Sequence, residues 1–447
     1  MEKIGVECWD GPPVAVLWDQ SLVWGLLCIE TLSKLGVPFE PLSAHHICED
    51  RLEGFRVLVV PGGWAAHKVR VLGETGRLKI AEFIDGRGSY LGFCGGAGLA
   101  LSSPPALYLA PIRRMPMSER LPSASGQIYV SGTISHPIWK GIASEIPVSI
   151  WWPSQFQFEP GCKAACLASY SFPGTGFQVA DLRVCDMDEG YRWGELEKEY
   201  GVNLDPARIQ GHPAIIEIER GMGRLVLSYA HLDTPGDLWG NRLFLNILNY
   251  LNETSRNSGL ESSARPSVSG KRTETSFLRL ETASPAAVTG IHPGVAAAKQ
   301  AAADLIAFGE ANLLWNWRKP WLLNWKRGIR GLEYGSLYVM LSCMADLERR
   351  SATAREQESG QAVDIPGWSK TAHELEARTL EFCALAKRLL FEEKIATQTG
   401  TVRKLGKVNE RVDPLRSALF GNRMNHGGLC GTLFDLIDRM LLDLIRH

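Results

Sequence analysis

Short apolar runs alternate with segments of helical periodicity between residues 13 and 100, and this alternation most restricts what the chain can fold into. The apolar runs lie at 14–18, 37–42, 55–60 and 90–93, and helical spacing is clearest over 20–35 and 74–85. Continuous apolar strands that alternate with helices are typical of a parallel sheet covered on both faces. We therefore expect an α/β domain built on a parallel sheet.

A glycine-rich turn follows the last of these apolar runs. Residues 89–100 read SYLGFCGGAGLA, so Cys94 stands between the predicted strand and a predicted helix. Gly-x-Cys-x-Gly at such a junction is the cysteine form of a nucleophile elbow, whose strained turn requires small neighbours. The helix N-terminus that follows favours a thiolate. A glycine-rich turn that carries a buried structural cysteine is the alternative, and the motif alone does not separate the two.

A cysteine nucleophile requires a base, and the base requires a group that orients it. His231 follows the apolar run at 225–229, so it is expected at the carboxyl end of a strand, as Cys94 is. Ligands of parallel sheets bind outside these ends. Asp233 lies two residues after His231 and is predicted to orient its imidazole.

Acyl transfer also requires two donors for the oxyanion of the tetrahedral intermediate. The amide of Gly95 follows the candidate nucleophile directly and is predicted to be one donor. The amide of Gly63, in the turn after the strand at 55–60, is predicted to be the other. With Gly62, it forms a glycine pair that lets a substrate approach the backbone closely.

Three motifs occur in a characteristic order: PGG at 61–63, YLGFCGG at 90–96 and GRLVLSYAHLD at 223–233. With them, residues 13–251 resemble the class I glutamine-amidotransferase-like superfamily. The nearest branch is the domain at the N-terminus of some biotin–protein ligases. The resemblance implies a flavodoxin-like parallel sheet with helices on both faces. It does not extend to the catalytic domain of those ligases.

The resemblance also implies roles for individual residues. It assigns the nucleophile, the base, the orienting carboxylate and the two oxyanion donors, in that order, to Cys94, His231, Asp233, Gly63 and Gly95. The sequence departs from the family pattern at two positions, because Leu232 stands where the family has proline and Asp233 where it has glutamate. Aspartate is one methylene shorter than glutamate.

The second half of the chain has a different character. A stretch rich in Ser, Thr, Asn and Gly is predicted to be a flexible linker, and four segments beyond it carry helical periodicity, at 294–317, 332–357, 368–396 and 430–446. We therefore predict three parts: a class I glutamine-amidotransferase-like α/β domain over 1–251, a linker over 252–285 and an all-α bundle over 286–447.

Two further segments have competing interpretations. Residues 315–327 carry four tryptophans and four cations, which suits a membrane surface or nucleic-acid bases, but packing within the bundle is favoured. The group HHICED at 45–50 has metal-ligating residue types, yet we interpret it as a polar loop. His67, just after the glycine pair, is predicted to be an exposed loop residue.

These observations lead to two hypotheses of different classes. In the first, the chain is a hydrolase or amidotransferase-like enzyme that forms a thioester at Cys94 with a small amide or acyl substrate. In the second, it is a non-catalytic ligand-binding or regulatory module, with the helical domain as a site for a protein partner. Neither hypothesis requires a cofactor or metal.

The composition bears on location and partners. A net charge of −1 gives no indication of nucleic-acid binding. The ten cysteines have no regular spacing, which fits reduced thiols in the cytoplasm better than a disulfide framework. No secretion signal or membrane span is predicted from the sequence.

Overall fold

The computed structural model of the chain describes residues 9–187, 192–256, 290–357, 367–400, 407–421 and 426–446. The chain divides into two compact units, Met1–Ser276 and Phe277–His447. Most of the predicted linker lies outside the described residues, but its first part, 252–256, belongs to a helix. The predicted domain limits at 251 and 286 therefore stay predictions.

The first unit mixes strands and helices. In chain order their bounds are β1 Val14–Leu17, α1 Val23–Lys34, β2 Phe39–Leu42, α2 Ala44–Cys48, β3 Val57–Val60, α3 Ala65–Asp85, β4 Ser89–Phe93, α4 Gly95–Leu99, β5 Ile112–Arg114, β6 Ala124–Gly132, β7 Glu145–Trp151, β8 Phe156–Phe158, β9 Ala165–Pro173, β10 Gln178–Val179, β11 Leu182–Arg183, α5 Trp193–Tyr200, β12 Pro213–Arg220, β13 Gly223–Ser228 and α6 Leu238–Arg256.

Five parallel strands form the half of the sheet that the sequence predicted. Their order is β2-β1-β3-β4-β13, which is the flavodoxin-like order. Every residue of β1, β3 and β4 is buried. Because successive side chains of a strand point to opposite faces, this burial requires cover on both faces of the sheet. The predicted α/β fold class is confirmed.

Antiparallel strands extend the same sheet on one side. β13 pairs with β12 as the predicted hairpin, and β9, β6, β10 and β11 continue outward in that order, with β7 also paired to β6. β5 and β8 form a separate two-stranded ribbon. β13 therefore joins the parallel strands to the antiparallel ones.

The second unit is mainly helical, as predicted. Its elements are α7 Pro293–Ala311, β14 Trp315–Lys319, β15 Leu322–Trp325, α8 Gly331–Gln357, α9 Trp368–Thr399, α10 Val412–Phe420 and α11 Gly428–Arg446. None of the described helices is long and apolar enough to cross a membrane.

The tryptophan-rich segment differs from its predicted structure. The helix expected over 294–317 ends at Ala311, and the segment forms the antiparallel hairpin β14–β15. Trp315 and Trp321 are buried, and Trp315 Nε1 donates a hydrogen bond of 3.1 Å to the carbonyl of Ile306. Packing within the unit, the favoured interpretation, accounts for these two rings.

Two predictions about histidines were wrong. His67 is buried in the first turn of α3, where its Nδ1 lies 3.0 Å from Gln20 Oε1, because α3 begins well before the predicted residue 74. The segment at 45–48 is helical rather than a loop, and Ser43 caps it. Within the described ranges, no three His, Cys, Asp or Glu side chains are grouped so that they could hold a metal ion.

Candidate functional site

Cys94 occupies a strained turn between β4 and α4. Its backbone angles, φ 47° and ψ −103°, lie outside the regions that L-residues normally adopt. The Cys94 amide donates a 2.8 Å hydrogen bond to the Ser228 carbonyl, and its carbonyl accepts one of 2.8 Å from the Gly98 amide. These bonds hold the strained residue between β13 and α4, which is the conformation that a nucleophile elbow requires.

The turn after β3 touches the start of α4 through backbone alone. A Cβ atom added to Gly95 would lie 1.8 Å from the Gly63 carbonyl oxygen, so no side chain fits between them. The amides of Gly63 and Gly95 donate no hydrogen bond to any residue in the described part of the chain. Two donors are therefore available beside the Cys94 turn, as an oxyanion site requires.

His231 and Asp233 form a buried pair. His231 Nδ1 and Asp233 Oδ1 are 3.0 Å apart, and each side chain is only 1% exposed. The backbone on both sides is fixed, because the His231 amide donates to the Ser149 carbonyl and the Thr31 hydroxyl donates to the Asp233 carbonyl. The aspartate thus reaches the imidazole although it is shorter than the glutamate of the family pattern.

Trp24 and Gly62 fix the plane of the His231 ring. The centroids of the Trp24 and His231 rings are 4.8 Å apart, with an angle of 32° between the planes. A Cβ added to Gly62 would lie 3.0 Å from His231 Cε1 and equally close to the Trp24 ring. Gly62 is therefore needed for the packing of His231, in addition to any approach by a substrate.

The surroundings of His231 favour its charged form. Burial alone would lower its pKa, but the charge of Asp233, the hydrogen bond to Asp233 and the nearby Cys94 outweigh this effect and raise the pKa to about 10. His231 Nε2 makes no hydrogen bond within the described residues. Cys94 Sγ lies 3.7 Å from the Trp151 carbonyl oxygen, to which the thiol donates.

The structure brings the six sequence-predicted residues to one edge of the parallel sheet, at the ends of β3, β4 and β13. They are Gly62, Gly63, Cys94, Gly95, His231 and Asp233. Sequence reasoning missed Trp24, whose contact with His231 spans the whole domain and leaves no motif.

The ion pair predicts that stability depends on pH. The folded pKa of His231, about 10, lies above its usual value of 6.5, so the stabilisation is complete below pH 6.5 and is lost as the pH rises towards 10. We expect the free energy of unfolding to fall with a slope of up to about 1.4 kcal/mol per pH unit in this window. Asp233→Asn should remove most of that slope.

Urea unfolding across the window measures it, with both proteins carrying Cys94→Ala so that the thiol does not titrate. Equal slopes in the two proteins would contradict the ion pair.

Comparison with known families gives one partial match. Residues 43–103 match the family described as "Biotin-protein ligase, N terminal". The matched segment contains the glycine pair and Cys94 but not His231 or Asp233. No curated protein matches the chain.

Several solved structures have weak similarity to the first half of the chain. A putative GMP synthase protein from Thermoplasma acidophilum is 16% identical, with 56% of this chain and 98% of that chain covered and a TM-score of 0.36. A putative ThuA-like protein from Bacteroides uniformis is 11% identical, with 55% and 94% covered and a TM-score of 0.35. A glutamine amidotransferase from Thermotoga maritima is 11% identical, with 56% and 86% covered and a TM-score of 0.30.

The fold rests on the strand order described above, which is that of a flavodoxin-like sheet. The resemblance seen in the motifs is matched at family level over the segment that runs from the end of β2 to just beyond α4. Residues 43–103 of this chain are thus similar to the N-terminal domain of biotin–protein ligases.

Proposed function

We propose that the first unit is a cysteine hydrolase or amidotransferase-like enzyme that acts on a small amide or acyl substrate through a thioester at Cys94. One observation carries the proposal: a buried, hydrogen-bonded His231–Asp233 pair lies beside a cysteine held in a strained elbow. A structural cysteine has no need of a turn that stores strain, whereas a nucleophile does.

In the first half of the reaction, the Cys94 thiolate attacks the carbonyl carbon of an amide. The amides of Gly63 and Gly95 donate to the oxyanion that forms. His231, charged at neutral pH and held by Asp233, gives its Nε2 proton to the leaving nitrogen. The C–N bond breaks, ammonia or an amine departs, and a thioester remains on Cys94.

In the second half, water attacks the thioester. Neutral His231 takes a proton from the water, and the same two amides stabilise the second oxyanion. Collapse of this intermediate releases the carboxylic acid and returns the thiolate and the imidazolium. The net reaction is amide plus water to carboxylate plus ammonium.

One observation favours the alternative of a non-catalytic binding module. The Cys94 thiol donates to the Trp151 carbonyl, while His231 Nε2 has no hydrogen bond in the described part of the chain. That arrangement suits a protonated, unreactive thiol. Under either function, the helical unit as a site for a protein partner and a cytoplasmic location stay predictions.

Alkylation by iodoacetamide at neutral pH separates the two functions. We expect Cys94, although partly buried, to react on the order of 10-fold faster than the exposed Cys166 and Cys185, because His231 stabilises its thiolate. His231→Ala should remove the advantage. The rate at each cysteine is read by mass spectrometry of peptides from one sample, so that the exposed thiols serve as internal controls.

If Cys94 reacts no faster than Cys166, the enzyme proposal fails and the binding module stands. A fast reaction is then followed by a screen of amides with ammonia detection, in which Cys94→Ser is the blank.

A further inference from the structure

Two arginines lie beside the candidate nucleophile, each bonded to a neutral oxygen. Arg114 Nη2 donates to the Gly98 carbonyl at 3.3 Å, and Gly98 is bonded in turn to the Cys94 carbonyl. Arg120 Nη1 donates to the Ser154 hydroxyl at 3.2 Å. Neither guanidinium forms an ion pair with a carboxylate of the described residues.

The fold brings these arginines to the site through β5 and β8. Arg114 is paired with Phe156 in this ribbon, and the Phe156 ring lies 4.4 Å from the ring of Tyr229. Tyr229 directly follows Ser228, the residue that accepts the hydrogen bond of the Cys94 amide. The chain between β7 and β8 thus connects Cys94, through Trp151, with the arginines.

Two buried hydroxyls belong to the same region. Tyr170 and Tyr229 are each 2% exposed, and their hydroxyl groups have no hydrogen-bond partner among the described residues. Both lie near Cys94, which contributes to the rise in the pKa of each beyond the larger effect of burial. Arg114 and Ser154 lie near the Tyr229 hydroxyl and lower its pKa, although neither is hydrogen-bonded to it. We call Arg114, Arg120, Ser154, Tyr170 and Tyr229 the arginine cluster.

The charge of the cluster is unfavourable as it stands. Burial and the repulsion by Arg114 lower the pKa of Arg120, and Arg120 Nε is buried without a partner in the described part of the chain. A partly desolvated cation with a like charge nearby is destabilising unless an anion accompanies it. A planar carboxylate matches the guanidinium fork, and the tyrosine hydroxyls are further donors.

We propose that the arginine cluster binds a carboxylate of the substrate, so that the site takes acyl amides of net negative charge. An ammonium group next to that carboxylate would be repelled by both guanidinium groups, so a dicarboxylic acid monoamide fits better than a zwitterionic amino-acid amide. The acyl amide rests on the proposed function, whereas the binding of the anion does not require Cys94 to react.

Two alkylating reagents of nearly equal size test the charge preference. Iodoacetate is anionic and iodoacetamide is neutral, and both place an acyl carbon next to the thiol. We expect the ratio of their rates at Cys94 to exceed the ratio at Cys166, and to fall about 10-fold in Arg120→Gln. Arg113→Gln is the matched control, because Arg113 is exposed in β5, next to Arg114, and its loss changes the net charge equally.

The control also separates the cluster from His231, whose charge attracts iodoacetate in every variant. Arg120 is not expected to be needed for folding, since no carboxylate of the described residues pairs with it, and a thermal melt of Arg120→Gln checks this point. An unchanged rate ratio in folded Arg120→Gln would overturn the proposal.

Direct binding provides a readout that does not depend on reactivity. Calorimetric titration of the Cys94→Ala protein with glutarate is expected to show binding that weakens about 10-fold in Arg120→Gln, and glutaramide should not bind. Phosphate bound more tightly than glutarate would overturn the assignment to a carboxylate.

Glutarate binding with an inert Cys94 would support the anion site and refute the enzyme. A reactive Cys94 with neither glutarate binding nor a preference for iodoacetate would do the reverse.

Discussion

Cys94→Ala is expected to lower kcat/KM for the best amide of the screen by at least about 10³-fold, the usual cost of removing a catalytic nucleophile. The reason is that no thioester can form, while the oxyanion donors and the His231–Asp233 pair stay in place. Steady-state ammonia release measures the loss. Cys166→Ala is the matched control, since it makes the same change at an exposed thiol and should leave kcat/KM unaltered.

The backbone of Cys94 provides a second, independent test. Because φ is 47° at this residue, Cys94→Gly should relieve strain and raise the free energy of unfolding by about 1 kcal/mol, while abolishing activity. A gain in stability together with loss of function is what a strained nucleophile predicts. Activity retained in Cys94→Ala, or lower stability in Cys94→Gly, would count against the elbow.

Gly95→Ala is expected to destabilise the first unit by about 4 kcal/mol or more, at the extreme of single substitutions. The new Cβ would lie 1.8 Å from the Gly63 carbonyl oxygen. Gly63 cannot move away easily, because its φ is 104° and its own Cα lies against the backbone of Gln20. The two main chains must therefore separate, and the turn after β3 would lose its place beside the Cys94 elbow.

The matched control is Gly194→Ala, which makes the same change near the N-terminus of another short helix. Nothing lies within 4 Å of a Cβ added there, and φ is not in the left-handed region. We expect it to be neutral or to stabilise by about 0.5–1 kcal/mol. Urea unfolding compares the two variants through the midpoint and the slope. A cost below about 1 kcal/mol for Gly95→Ala would contradict the contact between the two backbones.

The parallel half of the sheet was predictable because its strands are buried on both faces. Continuous apolar runs such as 57–60 are typical of fully buried strands when helical segments separate them. The order of the glycine pair, the elbow and His231 could also be read from the sequence, since each follows such a run. What could not be read is contact across the domain, such as that between Trp24 and His231.

The two largest errors have physical causes. The helix predicted over 294–317 ran into the tryptophan segment, yet Trp315 and Trp317 alternate as strand residues do, and Pro320 is in the connection that turns the chain back. The arginine cluster had no motif to reveal it. Arg114 and Arg120 lie in an irregular region, and only the pairing of β5 with β8 brings them to the site.

The position of β13 has a consequence for biosynthesis. Ser89 of β4 is paired with Arg224 of β13, so the strand that ends in the elbow waits for a partner made much later. The Ser228 carbonyl that holds the Cys94 amide, and His231 itself, leave the ribosome only near the end of the first unit. Long-range pairing of this kind closes late in folding. The growing chain thus carries Cys94 as an ordinary thiol, and its reactivity arises only when the unit is complete.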